Sequence, residues 1–155
     1  MLNTRHLDAY YGESIVLRDV NLEVPCGKVV CLMGRNGVGK TTLLKCIMGL
    51  LLPKNGKIMF EGRDITRYYP DERARLGLGY VPQGRDIFPQ LSVRDNLLLG
   101  LESRTDRERS IPPGVFELFP VLKAMLDRKG GDLSGGQQQQ LAIARALVGH
   151  PKLLL

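Results

Sequence analysis

Gly34-Arg35-Asn36-Gly37-Val38-Gly39-Lys40-Thr41 decides the fold of this 155-residue chain. The stretch meets every constrained position of G-x-x-x-x-G-K-[ST]. Glycines at 34, 37 and 39 let successive backbone N–H groups turn inward on a phosphate, which a Cβ there would hinder. The run before it, Val29-Val30-Cys31-Leu32-Met33, is continuously apolar and reads as a central strand buried on both faces. After it, Leu43, Leu44, Ile47 and Met48 fall on one helical face, so a helix is expected over 40–48 with Gly49 as its stop. Strand, glycine-rich loop and helix are the context the motif needs. In that context Lys40 supplies a compact charge for β- and γ-phosphates, Thr41 a hydroxyl for Mg2+, and the helix its positive dipole end. The plainer alternative is a glycine-rich turn with a surface lysine. The complete match argues against it.

Outward from this loop, residues 5–33 read as β-rich, with Val20, Leu22 and Val24 alternating as in a half-buried antiparallel strand. Pro25-Cys26-Gly27 is a turn. Two further strands are expected at 57–60 and 78–81, with a helical stretch at 71–76 between them. The character changes near Gly84. Ser92-Val93-Arg94-Asp95 resembles a capping box opening a helix through Leu97, Leu98 and Leu99. Pro112-Pro113 and Pro120 bracket a short helix containing Phe116 and Leu118, and Gly130-Gly131 breaks the chain. Residues 84–132 thus read as a mainly helical insertion between 1–83 and 133–155. Ser134, with Gln137 three residues on, should cap a helix reaching about Val148, ended by Gly149 and Pro151. Lys152-Leu153-Leu154-Leu155 opens another apolar strand. The class is α/β.

The composition, 43% apolar and 25% charged, is that of an ordinary globular domain. The net charge of +6 does not mark a polyanion-binding face. Basic and acidic residues are interleaved, even in Arg104-Thr105-Asp106-Arg107-Glu108-Arg109, and aromatic interleaving is absent, so no nucleic-acid partner is expected. Cys26, Cys31 and Cys46 have no metal-ligand spacing and read as buried free thiols. No apolar run approaches the roughly 20 residues of a membrane span, so a transport role would need a separate membrane partner. His6 and His150 read as structural or surface residues.

Roughly a hundred residues after the first loop comes Leu133-Ser134-Gly135-Gly136-Gln137. Physically this is a second anion site, with a hydroxyl and exposed N–H groups at a helix start. The pair of motifs resembles the ATP-binding subunit of an ABC transporter, and the likeness covers the whole chain. It implies a P-loop NTPase core of the ABC ATPase type, with an antiparallel β subdomain and a helical insertion. It also implies ATP and Mg2+ as cofactors, with Gly34, Arg35, Asn36, Gly37, Val38, Gly39, Lys40, Thr41 and Thr42 around the phosphates. In that family two cassettes face head to tail, so Ser134, Gly135, Gly136 and Gln137 would act on ATP held by a second cassette, identical or different. Gln83, in Tyr80-Val81-Pro82-Gln83-Gly84, matches the glutamine that reaches Mg2+ and the attacking water. Tyr11 matches the aromatic that stacks on adenine, with Tyr10 the alternative. The partners implied are transmembrane permease subunits and, indirectly, a solute-binding protein, at the cytoplasmic face of the membrane.

Val81-Pro82-Gln83-Gly84-Arg85-Asp86-Ile87-Phe88-Pro89, with Asn96-Leu97-Leu98-Leu99-Gly100, is similar to the importer branch for branched-chain amino acids and urea. Gln83 and Gln137-Gln138-Gln139-Gln140-Leu141-Ala142-Ile143 favour the urea type. The family's Mg2+-binding Asp, its water-activating Glu and its switch His all follow the strand that begins at Lys152. None is in this sequence, so a C-terminally truncated cassette is expected. The other classes are a soluble ABC protein of translation or DNA repair, and a module that binds without hydrolysis.

Overall fold

The structure is a computed structural model that describes residues 1–106 and 108–155; Arg107, within the mixed-sign run 104–109, lies outside the described residues. The chain forms two units, Met1–Arg73 and Ala74–Leu155.

In the first unit β1 (Leu2–Tyr11) lies between β2 (Ser14–Val24) and β3 (Asn55–Phe60), and β4 (Arg63–Asp64) closes the far edge. All pairings are antiparallel, and Leu2 faces both Val24 and Phe60. Buried positions on β1 run Leu2, Thr4, then Leu7, Ala9, one residue out of phase. The register shifts between Thr4 and Leu7, and such a bulge lets both halves of a long strand face one core. Polar side chains hold it. The His6 N–H donates to Asn21 Oδ1 at 2.9 Å, and the Asp19 N–H donates to Asp8 Oδ1 at 2.8 Å. That bond, with one from Asn55, keeps the Asp8 carboxyl below its usual range.

The helix expected after the glycine-rich loop forms as α1 (Lys40–Met48), with Thr42, Leu43, Cys46, Ile47 and Met48 buried and Gly49 at its C-cap. Its last carbonyls meet Arg73, a fully buried guanidinium. Arg73 Nη1 donates to Cys46 O and Ile47 O at 2.7 Å, Nη2 to Thr66 O at 2.9 Å and Nε to Tyr68 O at 3.0 Å. Burial lowers the Arg73 pKa, opposed by Cys46 and Glu72. Arg73 lies on α2 (Pro70–Leu76), in the expected helical stretch, which crosses the boundary between the units.

Two expectations are corrected. The run Val29-Val30-Cys31-Leu32-Met33 is not a buried central strand: it forms no ladder, and Val29 and Met33 are 98% and 87% exposed. A strand is defined by its neighbours, and no strand among the described residues pairs with this run. The cysteines are not all buried either. Cys26 and Cys31 are exposed, and only Cys46 is enclosed. Burial pushes the Cys46 thiol up to about 11, against the opposing charge of Arg73.

In the second unit β5 (Leu78–Gly79) pairs in parallel with β6 (Leu153–Leu154), and the Val81 N–H extends the pairing to Leu155 O at 2.9 Å. The helical part comprises α3 (Val93–Gly100), α4 (Pro113–Leu118), α5 (Pro120–Lys123) and α6 (Gly135–Leu147). Val93, Leu97, Val115, Leu122, Leu141 and Ala144 meet in one apolar cluster. Asn96, fully buried on α3, accepts the Phe88 N–H and donates to the carbonyls of Phe88 and Ser92. No helix among the described residues is long and apolar enough to cross a membrane.

Arg73→Ala removes the donor from four carbonyls and should lower unfolding stability by at least about 3 kcal/mol, measured by urea denaturation. A thiol reagent should label Cys26 and Cys31 rapidly in the native chain and Cys46 only after denaturation.

Candidate functional site

The phosphate-loop residues lie together in the first unit. Gly34, Gly37 and Gly39 have φ of 151°, 84° and 97°, so the backbone turns repeatedly through regions that side chains avoid. Gly39 is the tightest position. A Cβ there would stand 2.7 Å from Leu17 Cδ2 and 3.1 Å from Val16 O, so the loop seats directly on β2. Gly39 is also the N-cap of α1 and brings no side-chain acceptor, and no acidic residue lies in the first turn. The N–H groups that a helix start leaves unpaired therefore stay available to an anion, at the positive end of the helix dipole. Lys40 Nζ donates to Gly34 O and Arg35 O, both at 2.7 Å. Its charge thus sits across the loop, and an arriving phosphate can take it over from those carbonyls.

Thr41 is exposed in the first turn and Thr42 is buried, while Arg35, Asn36 and Val38 are exposed on the loop. A single hydroxyl such as that of Thr41 is a neutral oxygen donor, which fits a hard cation whose other ligands are phosphate oxygens. Among the described residues no cluster of three or more His, Cys, Asp or Glu could hold a metal alone. Tyr11, at the end of β1, is 48% exposed. Tyr10 is half-buried, with Lys54 Nζ 4.7 Å from its ring centroid. Tyr11 is therefore the ring that is left open.

The other motifs belong to the second unit. Gln83 is exposed in the turn that follows β5. Ser134 caps α6: its Oγ accepts the Gln137 N–H at 3.4 Å, and Gln137 Oε1 accepts the Ser134 N–H at 2.9 Å. This is the reciprocal box the spacing predicts. Gln137 is thereby occupied in its own chain. Ser134, Gly135 and Gly136 are exposed, and a Cβ on Gly136 would touch nothing within 4 Å. His6 and His150 are both exposed, and His6 Nδ1 lies 2.7 Å from Asp19 Oδ1.

The sequence reading gave no role to Arg73, Arg85 or Arg145. Arg85 Nη1 donates to Gln138 Oε1 at 3.1 Å, and Arg145 Nη2 donates to Asp86 O at 2.6 Å. Arg145 also lies 5.2 Å from the Phe88 ring centroid, and burial lowers its pKa. A positive charge beside Gln83 was the visible signal for Arg85. Nothing local marked the other two.

The chain thus carries a glycine-built loop at the start of α1 and a serine-capped glycine pair at the start of α6. The family model for ABC transporter matches residues 17–155. The chain belongs to the ABC transporter family. The lipopolysaccharide export ATP-binding protein LptB of Acidithiobacillus ferridurans is 42% identical, aligned over the whole chain and 65% of its own length. The high-affinity branched-chain amino acid transport ATP-binding protein BraG of Pseudomonas aeruginosa is 40% identical over the whole chain and 67% of its length. The dimeric structure of the bacterial ABC transporter cassette MJ0796 superposes with a TM-score of 0.82 at 29% identity, covering 99% of this chain and 72% of that one. The chain thus spans about two thirds of the length of these relatives.

Gly39→Ala should destabilise the first unit by roughly 1–3 kcal/mol, because it adds a Cβ at positive φ against Leu17; denaturant melts would measure the loss.

Proposed function

We propose that this chain is the ATP-holding part of the subunit that energises an ABC importer, with urea or branched-chain amino acids as the transported class. The observation that carries the reading is the uncapped start of α1, where left-handed glycines and Lys40 leave N–H groups and charge for a triphosphate. Mg2+ would neutralise phosphate charge, with the Thr41 hydroxyl as an oxygen ligand, and the family resemblance gives Gln83 a role toward the same ion. Tyr11 would stack on adenine.

The capped, shallow start of α6 would serve ATP held by a second cassette. Its Gly136 is open and its Gln137 is already bonded, which suits completion by a partner. The dimeric state of the MJ0796 cassette supports that arrangement. Permease subunits would convert closure and reopening of the pair into transport at the cytoplasmic face. ATP binding is the step these residues themselves support.

The solute class rests on the match at Val81 to Pro89 and on BraG. LptB, named for export, is equally similar, so identity alone does not choose the direction of transport.

A fluorescent ATP analogue with Mg2+ should bind the chain, and Lys40→Ala should weaken it about tenfold or more. Equal binding by both proteins would sink the nucleotide reading. In cells lacking the protein, urea or branched-chain amino acid uptake should fall. Unchanged uptake of both would remove the solute class and leave the cassette reading standing.

A further inference from the structure

Gln83 is followed by Gly84, Arg85 and Asp86 with φ of 97°, 78° and 44°. Two of the three carry side chains, and consecutive left-handed residues of that kind persist only where the surroundings over-determine the backbone. Here α6 does so from two positions, seven residues and so about two turns apart. At the far end, Arg145 Nη2 donates to Asp86 O at 2.6 Å and its guanidinium covers the Phe88 ring. At the near end, Arg85 Nη1 donates to Gln138 Oε1 at 3.1 Å. The Arg85 guanidinium also lies over Gly135, where an added Cβ would fall 3.1 Å from Nη2 and 3.2 Å from Nη1.

The electrostatics alone would not put Arg85 there. The start of α6 is a positive dipole end, which repels a cation, and the acceptor it finds is a neutral amide. Geometry accounts for the placement: a planar fork can lie flat on a glycine while one edge donates to Gln138, and an ammonium cannot. Asn96 holds the same segment from α3 through both backbone groups of Phe88. The turn that carries Gln83 is thus continuous with a run pinned to the first turn of the signature helix.

We infer that Arg85 is a positioning residue whose guanidinium latches the segment after Gln83 to the first turn of α6, so that Gln83 and the Ser134-Gly135-Gly136 edge are presented as one piece. This rests on the reading that residues 134–137 act on ATP held by a second cassette. The latch needs three things at once: a left-handed turn at 84–86, glycine at 135 and an amide at 138.

The test uses the full chain and two measurements. One is the affinity of the dilute chain for a fluorescent ATP analogue, which reports the phosphate loop. The other is ATP-dependent self-association by sedimentation velocity, which reports the signature edge. Arg85→Ala should leave the first within about twofold and weaken the second about tenfold, the scale of one lost charge-assisted bond. Gln138→Ala, which also removes the bond from Gln138 Nε2 to Gly130 O, should weaken association at least as much, and the double variant should lose no more than Gln138→Ala alone. Arg85→Lys keeps the charge but not the fork and should stay near the alanine value. Native association of Arg85→Ala, additive losses, or full rescue by lysine would each overturn the latch. A wild-type chain that binds no ATP, or does not associate with ATP present, would overturn the functional reading beneath it, which the variants do not test.

Discussion

The four carbonyls bound by Arg73 anchor the C-terminal end of α1, whose opposite end is left bare. A helix start built for phosphate cannot use the usual stabilisers, because an acceptor side chain at the N-cap or a carboxylate in the first turn would occupy or repel the ligand site. Gly39 and the absence of acidic residues in that turn leave the N-terminus of α1 bare. The stabilisation comes from the opposite end. Arg73 puts a positive charge on the negative pole of the dipole and ties Cys46 and Ile47 of α1 to Thr66 and Tyr68. Those contacts fix the helix against the β3–β4 side, while Gly39 seats its start on β2. One residue that touches no ligand thus fixes the axis along which Lys40 and the first-turn N–H groups are aimed.

How much of this was legible in the sequence follows from how local each cause is. Helices α1 and α6 could be read to within a residue, because their apolar spacing, capping residues and terminal glycines all lie within a few positions of one another. The Ser134–Gln137 box was fully specified by a three-residue spacing. Val29 to Met33 misled for the opposite reason. Local composition encodes the wish for two flanking strands, but a ladder exists only if other segments supply it, and none of the described strands does. The same apolar run misplaced Cys31, which is exposed along with its neighbours.

The arginines mark the other limit. Arg73 stands among Asp71, Glu72 and Arg75, in a polar stretch that reads as surface, yet it is fully buried. Its acceptors come from residues 46, 47, 66 and 68, so the burial is a product of the tertiary fold and has no periodic signature. Arg85 and Arg145 are similar, since their partners lie 53 and 59 residues away. Glycine-rich loops advertise themselves because their chemistry is in the backbone. The groups that aim those loops are single side chains acting over long sequence distances.

The two helix starts also differ in a way that bears on how the cassette would work. At α1 the cap is a bare glycine, the lysine is already inside the loop, and every contact to a triphosphate could come from one continuous stretch. At α6 the Ser134 hydroxyl accepts the Gln137 N–H and the Gln137 amide oxygen accepts the Ser134 N–H, so of the first-turn N–H groups those of Gly135 and Gly136 remain. Two N–H groups and a dipole end, open on the side of Gly136, make a weak anion site in water, because exposed dipole interactions contribute only about 0.3–1 kcal/mol each. Such an edge gains strength only when a ligand fixed elsewhere is pressed against it and water is excluded. That asymmetry, an open start at α1 and a capped one at α6, suits the proposed division in which α1 would hold the nucleotide and α6 would complete a partner's site.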